Sequence, residues 1–153
     1  MKKLLFLFAT VLFCYSCNND DDNNSALFEE FTIQEVNDSG ISGSVIFSRS
    51  TTDTVLFINV TLDGTELGKS YTANIYHNSL STGGDIAIPL RNFDGSTETI
   101  ISGDFFDSLN PLMIMGSNLT YEELIQFNGH IKVLSNDEQP IVIAQGNIGS
   151  NAP

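Results

Sequence analysis

The sequence is poor in several residue types, and each shortage excludes a class of structure or function. It has no tryptophan, two histidines and two cysteines, and both cysteines lie in the first 17 residues. A domain that begins after Cys17 therefore has no disulfide and depends on packing for its stability. Only four basic residues follow Cys17 against 19 acidic ones, which gives this part a net charge of −15. A negative field of that size repels phosphate, so binding to nucleic acid and docking by charge on anionic lipid are not expected.

The first 16 residues have the pattern of an export signal. Two lysines precede a 12-residue apolar run from Leu4 to Tyr15, which is shorter than the roughly 20 residues that a membrane-spanning helix needs. Ser16 then places a small residue directly before Cys17. This arrangement resembles the lipobox of bacterial lipoproteins. The resemblance implies that residues 1–16 are removed as a signal peptide and that Cys17 is lipidated, with palmitate as one of its acyl groups.

Residues 17–25 continue with three aspartates and four asparagines. Such a segment cannot bury apolar surface, so it is predicted to be a solvated, disordered tether. An acidic cluster directly behind a lipidated cysteine resembles the export signal of surface lipoproteins of the Bacteroidota type. The resemblance implies a domain that is held in the outer membrane by its N-terminal lipid and is exposed at the cell surface.

Residues 26–153 are predicted to form one all-β domain, because short runs of alternating apolar and polar residues are separated by turn residues. In the third run, every second residue from Leu56 to Leu62 is apolar, and this face is predicted to point into the core. About eight short strands is the number found in a sandwich or barrel. The runs are Phe31–Val36, Gly43–Ser48, Thr54–Leu62, Tyr71–Tyr76, Asp85–Leu90, Thr97–Ser102, His130–Leu134 and Pro140–Gln145.

One segment, residues 118–127, departs from the strand pattern. Thr120 is followed three positions later by Glu123, which is the spacing of a capping box at the start of a helix. Tyr121, Leu124 and Ile125 share one face of such a helix. The sequence therefore predicts a short helix near residues 120–127 that closes one end of the sandwich.

Between Ser42 and Gly149, several short pieces resemble the CHRD domain, which was first described in chordin and also occurs in bacterial exported proteins. The resemblance depends on the order and spacing of the pieces rather than on any one of them. It implies an immunoglobulin-like or superoxide-dismutase-like antiparallel β-sandwich and no established biochemical activity. The pieces are Tyr71-Thr72-Ala73, His77-Asn78, Gly83-Gly84 with the following IAIPL, Tyr121-Glu122-Glu123-Leu124, Phe127-Asn128-Gly129 and Ile143-Ala144-Gln145-Gly146.

This chain departs from the CHRD pattern at the positions where the family commonly carries histidine. Asn74 and Tyr76 stand in place of a His-x-His pair, and Leu134 stands in place of a further histidine. Asparagine and tyrosine are poor ligands for zinc or copper. We interpret Asn74, Tyr76 and His77 as the candidate binding patch and predict no metal and no other cofactor.

Two weak metal candidates remain in the chain. His77 and His130 are its only histidines, and they could meet across the sandwich and recruit Asp85 or Asp104 as a third ligand. The alternative is that His77 only caps its strand at the surface. With two histidines and no cysteine, the domain cannot provide the three or four imidazole or thiolate ligands that a zinc site prefers.

No catalytic residue is predicted. The serines do not lie in a G-x-S-x-G elbow, and no glycine-rich phosphate loop precedes a helix. Glu122 and Glu123 point in different directions on the predicted helix, so they do not form the facing carboxylate pair of a glycosidase. We therefore do not expect an enzyme.

Three hypotheses for function remain open. The first is a non-enzymatic surface lipoprotein that acts as a binding or cell-envelope module for an extracellular protein or glycan. The second is a carbohydrate-binding accessory lipoprotein of an uptake system, and the third is a metal-binding, dismutase-like protein. For the second hypothesis, the aromatic platform that binds the sugar would have to come from Tyr71, Tyr76, Phe93, Phe105 or Phe106.

Asp53 and Asp107 each begin a short motif that resembles bacterial O-glycan acceptors.

Overall fold

The structure is a computed structural model that describes residues 27–50, 55–106, 110–114 and 116–153. Cys17, the signal peptide and the tether predicted from the sequence lie outside these residues, as do Asp53 and Asp107. In the described part of the chain, no helix is long and apolar enough to cross a bilayer.

The described chain is mostly β-structure, and the prediction of an all-β fold is confirmed. Each of the eight predicted runs coincides with a strand, with differences of a few residues at the ends. A hairpin of two very short strands was not predicted. The strands are β1 (Leu27–Glu35), β2 (Ser42–Arg49), β3 (Leu56–Asp63), β4 (Ser70–His77), β5 (Ile86–Asp94), β6 (Ile100–Phe106), β7 (Met113–Ile114), β8 (Ser117–Asn118), β9 (Gly129–Ser135) and β10 (Val142–Ile148).

The eight longer strands form two antiparallel layers that share β1. The hydrogen-bonded order is β5-β4-β9-β10-β1-β2-β3-β6. We call β1, β2, β3 and β6 the front sheet and β5, β4, β9 and β10 the back sheet. The two end strands of this order, β5 and β6, also approach each other: the Arg91 backbone N–H on β5 donates to an Asp104 carboxylate oxygen on β6 over 2.9 Å. The two layers therefore enclose one core in a nearly closed, barrel-like sandwich.

Strand β1 passes from one sheet to the other. Residues Leu27 to Ile33 pair with β2, whereas only Gln34 and Glu35 pair with β10. The last contact of this kind is the bond from the Val36 N–H to the Ile143 carbonyl oxygen, 2.8 Å long. The first part of β1 is therefore separated from β10, and this separation positions the site described below.

The core forms where the alternating pattern predicts it. Leu56, Ile58, Val60 and Leu62 on β3 are all buried, so the predicted apolar face does point inward. Phe47 on β2 pairs with Ile58, and Ile33 on β1 lies in the same lateral row as Leu62; both side chains are fully buried on this inner face. Burying a large aliphatic or aromatic side chain contributes about 1.5–3 kcal/mol, so this interior stabilises the domain without any disulfide.

The predicted helix is present as a single turn, α1 (Tyr121–Leu124). Both halves of its capping box form: the Glu123 N–H donates to the Thr120 hydroxyl over 3.2 Å, and the Thr120 N–H donates to the Glu123 carboxylate over 2.9 Å. Leu124 is fully buried and Tyr121 nearly so. Arg49 at the end of β2 forms an ion pair of 2.9 Å with Glu122. The turn therefore covers one end of the front sheet.

Candidate functional site

His130 lies on the outer face of the back sheet, yet it is fully buried. The β4–β5 loop covers it. Asn78 has φ of 64°, a left-handed conformation that asparagine tolerates, and its carbonyl oxygen lies 2.7 Å from His130 Nδ1. Because a carbonyl only accepts, Nδ1 carries the proton and donates it. The other ring nitrogen, Nε2, is buried without a hydrogen-bond partner in the described part of the chain.

The surroundings of His130 favour its neutral form. Burial lowers the pKa of the imidazole, and the positive charge of Lys132 lowers it further. The hydrogen bond to the Asn78 carbonyl acts in the opposite direction but has less effect on the pKa than burial has. The ring of Tyr76 stacks on His130 with 5.2 Å between ring centroids, and Lys132 Nζ lies 5.2 Å from the Tyr76 centroid. His130 is therefore part of a packed layer that holds the loop down.

The two histidines lie on opposite faces of the back sheet. Tyr76 pairs with His130 and His77 pairs with Gly129, so adjacent positions alternate between the two sides. The His77 ring packs against Phe127, 5.4 Å between centroids. Among the described residues, no group of three or more His, Cys, Asp and Glu side chains could hold a metal ion. Of the two proposed carboxylates, Asp104 is engaged with Arg91.

The candidate binding patch is divided by the same alternation. Asn74 and Tyr76 share the outer face of β4, as the sequence predicts, while His77 is on the other side. Asn74 is buried, at 8% exposure, and Tyr76 is half-buried between His130 and Lys132. These three side chains therefore do not form one accessible surface.

The aromatic residues that were expected to provide a sugar platform are mostly engaged elsewhere. Tyr71 is buried and stacks on Phe93, 6.0 Å between centroids, and Phe106 packs against the core. Phe105 lies outside the described side chains.

Two other phenylalanines are exposed on the front sheet. Phe28 is 65% exposed and Phe57 is 36% exposed. They occupy the same lateral row, with Ser48 of β2 between them. Alternation in β3 already assigned Phe57 to the outer face. Phe28 was missed because the predicted strand began at Phe31, although extending the alternation backwards would have found it.

A cavity lies where β1 separates from β10. It has a volume of about 470 Å³, within the roughly 300–1,000 Å³ typical of ligand pockets. We call it the seam cleft. Its lining is mainly carboxylate and amide, and no basic residue is among the described residues that line it. These are Glu29, Glu30, Phe31, Thr32, Gln34, Glu35, Leu80, Gln145, Gly146, Asn147, Asn151, Ala152 and Pro153.

Particular contacts hold the two walls of the seam cleft in place. A Cβ atom at Gly146 would overlap the carbonyl oxygen of Thr32, so the strands approach closely at this point. Beyond it, Asn147 accepts a hydrogen bond of 2.9 Å from the Leu80 N–H. The row Tyr76, His130 and Asn147 therefore joins the covered histidine to one wall of the cleft.

A smaller cavity, the pole pocket, lies at the other end of β1. It has a volume of about 210 Å³ and is lined by aliphatic residues such as Ile41 and Ile143, with Lys69 and Asp137 among its polar lining residues. Ser135 also lines it, and the Ser135 hydroxyl is buried without a hydrogen-bond partner in the described part of the chain. Its volume is below the usual range for small-molecule sites, so the seam cleft is the stronger candidate.

Comparison with known proteins leaves the family open. No protein-family model matches this chain, and neither a curated protein nor a solved structure matches it. The resemblance to the CHRD domain therefore remains a prediction.

Proposed function

We propose that the protein is a non-enzymatic, CHRD-like binding module, displayed on the outer membrane through a lipid at Cys17, and that its ligand occupies the seam cleft. The observation that carries this proposal is the cleft itself: a polar cavity of about 470 Å³ between β1 and β10. Carboxylates and amides line it, and such groups provide the directional hydrogen bonds by which a site selects its ligand.

The chemistry around the histidines supports binding rather than catalysis. His130 bonds to a backbone carbonyl, and His77 packs on Phe127. A general base needs a nucleophile or a reacting proton within hydrogen-bond reach. Within the described residues, the two rings contact aromatic side chains and the Asn78 carbonyl, and Lys132 places a positive charge near His130.

Ligand binding can be located by an NMR survey of the domain from residue 26 onward. We expect saturable amide shifts at Thr32, Gln145 and Asn147 for at least one member of a set of peptides, oligosaccharides and small cations. Thr32→Trp should abolish these shifts, because the exposed side chain of Thr32 lines the cleft and tryptophan would fill it.

The matched control is Thr61→Trp. Thr61 lies on the outer face of β3 in the same lateral row as Thr32 and Ser44, but it does not line the cleft. Binding should persist in this variant. Saturable shifts that map only to Phe28 and Phe57 would instead favour a second candidate function, a carbohydrate-binding surface on the front sheet. The exposure of these two rings supports this candidate.

The lipid anchor has its own test. Cells that express the full chain should incorporate a palmitate analogue into the wild-type protein and into Cys14→Ser, but not into Cys17→Ser. Cys14 is a suitable control because it is the other cysteine of the chain and would leave with the signal peptide. Labelling that survives in Cys17→Ser would contradict the proposed attachment site.

A further inference from the structure

We propose that the seam cleft accepts an extended, basic polypeptide segment, which adds as a strand to the edge of β1 that faces the cleft. This inference rests on the proposed function, because it takes the seam cleft as the ligand site and names the class of ligand. It is an interaction between the backbone of a partner and the backbone of β1, with charge providing the selection.

Strand β1 is paired along most of its length on one edge but only at its end on the other. From Leu27 to Ile33 the strand pairs with β2 on one edge, and its pairing with β10 on the other edge is limited to Gln34 and Glu35. Backbone N–H and C=O groups on an open edge are a template for another strand. In the described part of the chain, the stretch of this edge that has no partner strand faces the cavity, since Glu29, Glu30 and Phe31 line it.

The last residues of β10 are held away from this edge of β1. After the close approach at Gly146, the chain turns through Gly149–Asn151. The Asn151 amide donates to the Asn128 side chain over 2.7 Å and to the Gly129 carbonyl over 3.1 Å. These bonds tie the C-terminal residues to the start of β9. The cleft is therefore built by specific contacts, and little reorganisation is needed before a strand can enter it.

The seam cleft carries negative charge. Glu29, Glu30 and Glu35 line the cleft, and no basic side chain is found among its described lining residues. A cationic segment is thus complementary, and electrostatic attraction also accelerates its association. The chain's own tether carries Asp20, Asp21 and Asp22, so repulsion disfavours it as the occupant.

A second copy of the chain is also disfavoured. Pairing two β1 edges with each other would bring the carboxylates of both copies together, and like charges opposite one another destabilise a strand pair. The occupant that fits is therefore a different polypeptide, extended over several residues, with lysine or arginine side chains directed toward Glu29 and Glu30 on the open stretch of β1.

The probe is the peptide acetyl-Lys-Thr-Lys-Val-Lys-Thr-Lys-amide, titrated into the labelled domain at low salt. We expect saturable amide shifts along residues 27–33, with Kd rising at least tenfold when the lysines are replaced by glutamates. Two N-methylated peptides test the backbone pairing, one methylated at the odd residues and the other at the even residues. Each lacks the N–H donors of one edge of the peptide strand, so the one that lacks the donors facing β1 should lose at least tenfold in affinity and the other should not.

The variant pair Glu29→Gln with Glu30→Gln tests the role of charge in the cleft, because both exposed carboxylates line it. We expect about tenfold weaker binding. Glu98→Gln with Glu138→Gln is the matched control, because it removes the same charge from exposed positions outside the cleft and should change Kd by less than twofold. Equal effects of the two pairs would show that net charge alone attracts the peptide.

The possible results separate the two proposals. Equal binding of the acidic peptide, equal affinities of the two N-methylated peptides, or peptide-induced dimerisation through β1 would overturn strand addition. If this peptide fails while another ligand of the survey shifts Thr32, Gln145 and Asn147, the inference is wrong and the proposed function stands. If no ligand shifts these amides, both are wrong.

Discussion

Gly146→Ala is expected to lower the free energy of unfolding by about 3 kcal/mol or more, because it forces a methyl group into backbone that cannot move aside. A Cβ atom at this position would overlap the Thr32 carbonyl oxygen and lie 3.2 Å from its carbon. Thr32 is in turn fixed by its pairing with Ser44. The new side chain must therefore push β1 away from β10 at the point where the two sheets are joined. Urea denaturation followed by circular dichroism measures the change.

Gly103→Ala is the matched control for this experiment. Gly103 is also a strand glycine, but the atoms that a Cβ would meet at close range belong to the side chain of Asn59, which can rotate away. We expect a loss below about 1 kcal/mol for this variant. If Gly146→Ala lowers the free energy of unfolding no more than Gly103→Ala does, β1 and β10 do not approach as closely as described. The shape of the seam cleft would then also be wrong.

Acidification is expected to destabilise the domain through His130. Burial lowers the pKa of His130 in the folded state, whereas the unfolded chain has a histidine pKa of about 6.5. The unfolded state therefore binds the proton more tightly. The stabilisation is fully present above about pH 6.5, is lost as the pH falls through the unfolded pKa, and levels off below the folded pKa. The slope can reach about 1.4 kcal/mol per pH unit.

The variants His130→Gln and His77→Gln separate this effect from general acid sensitivity. His130→Gln should remove the slope between about pH 6.5 and 5, a range above the ordinary carboxylate pKa values. His77→Gln should retain it. An NMR titration of the His130 ring in the wild-type protein measures the pKa directly, so the prediction remains testable if His130→Gln folds poorly. A folded-state pKa at or above 6.5 would contradict it.

The parts of the fold that depend on local sequence were predictable. Alternation placed Leu56 and Ile58 in the core, and the spacing of Thr120 and Glu123 identified the helix start. These patterns depend on residues that are close in the chain, and so the strands and the short helix were found. The very short β7 and β8 contain two residues each, which is too few for an alternating pattern to be recognised.

The candidate site was not predictable for the opposite reason. His130 looks like an exposed residue of an alternating strand, and it is buried because Asn78, 52 positions away, folds over it. Gly146 looks like an ordinary strand glycine, and only the pairing of distant strands shows why a side chain would not fit. The seam cleft exists because β1 leaves one sheet for the other, which depends on tertiary packing rather than on any local motif.

The position of β1 also has a kinetic consequence. The strand that joins the two sheets is the first of the described chain, and its partner β10 is the last, so that Asn37 and Val142 bond across 105 positions. Contacts between such distant residues are costly in entropy and tend to form late in folding. The sandwich therefore cannot close until β10 has been synthesised and is free to pair.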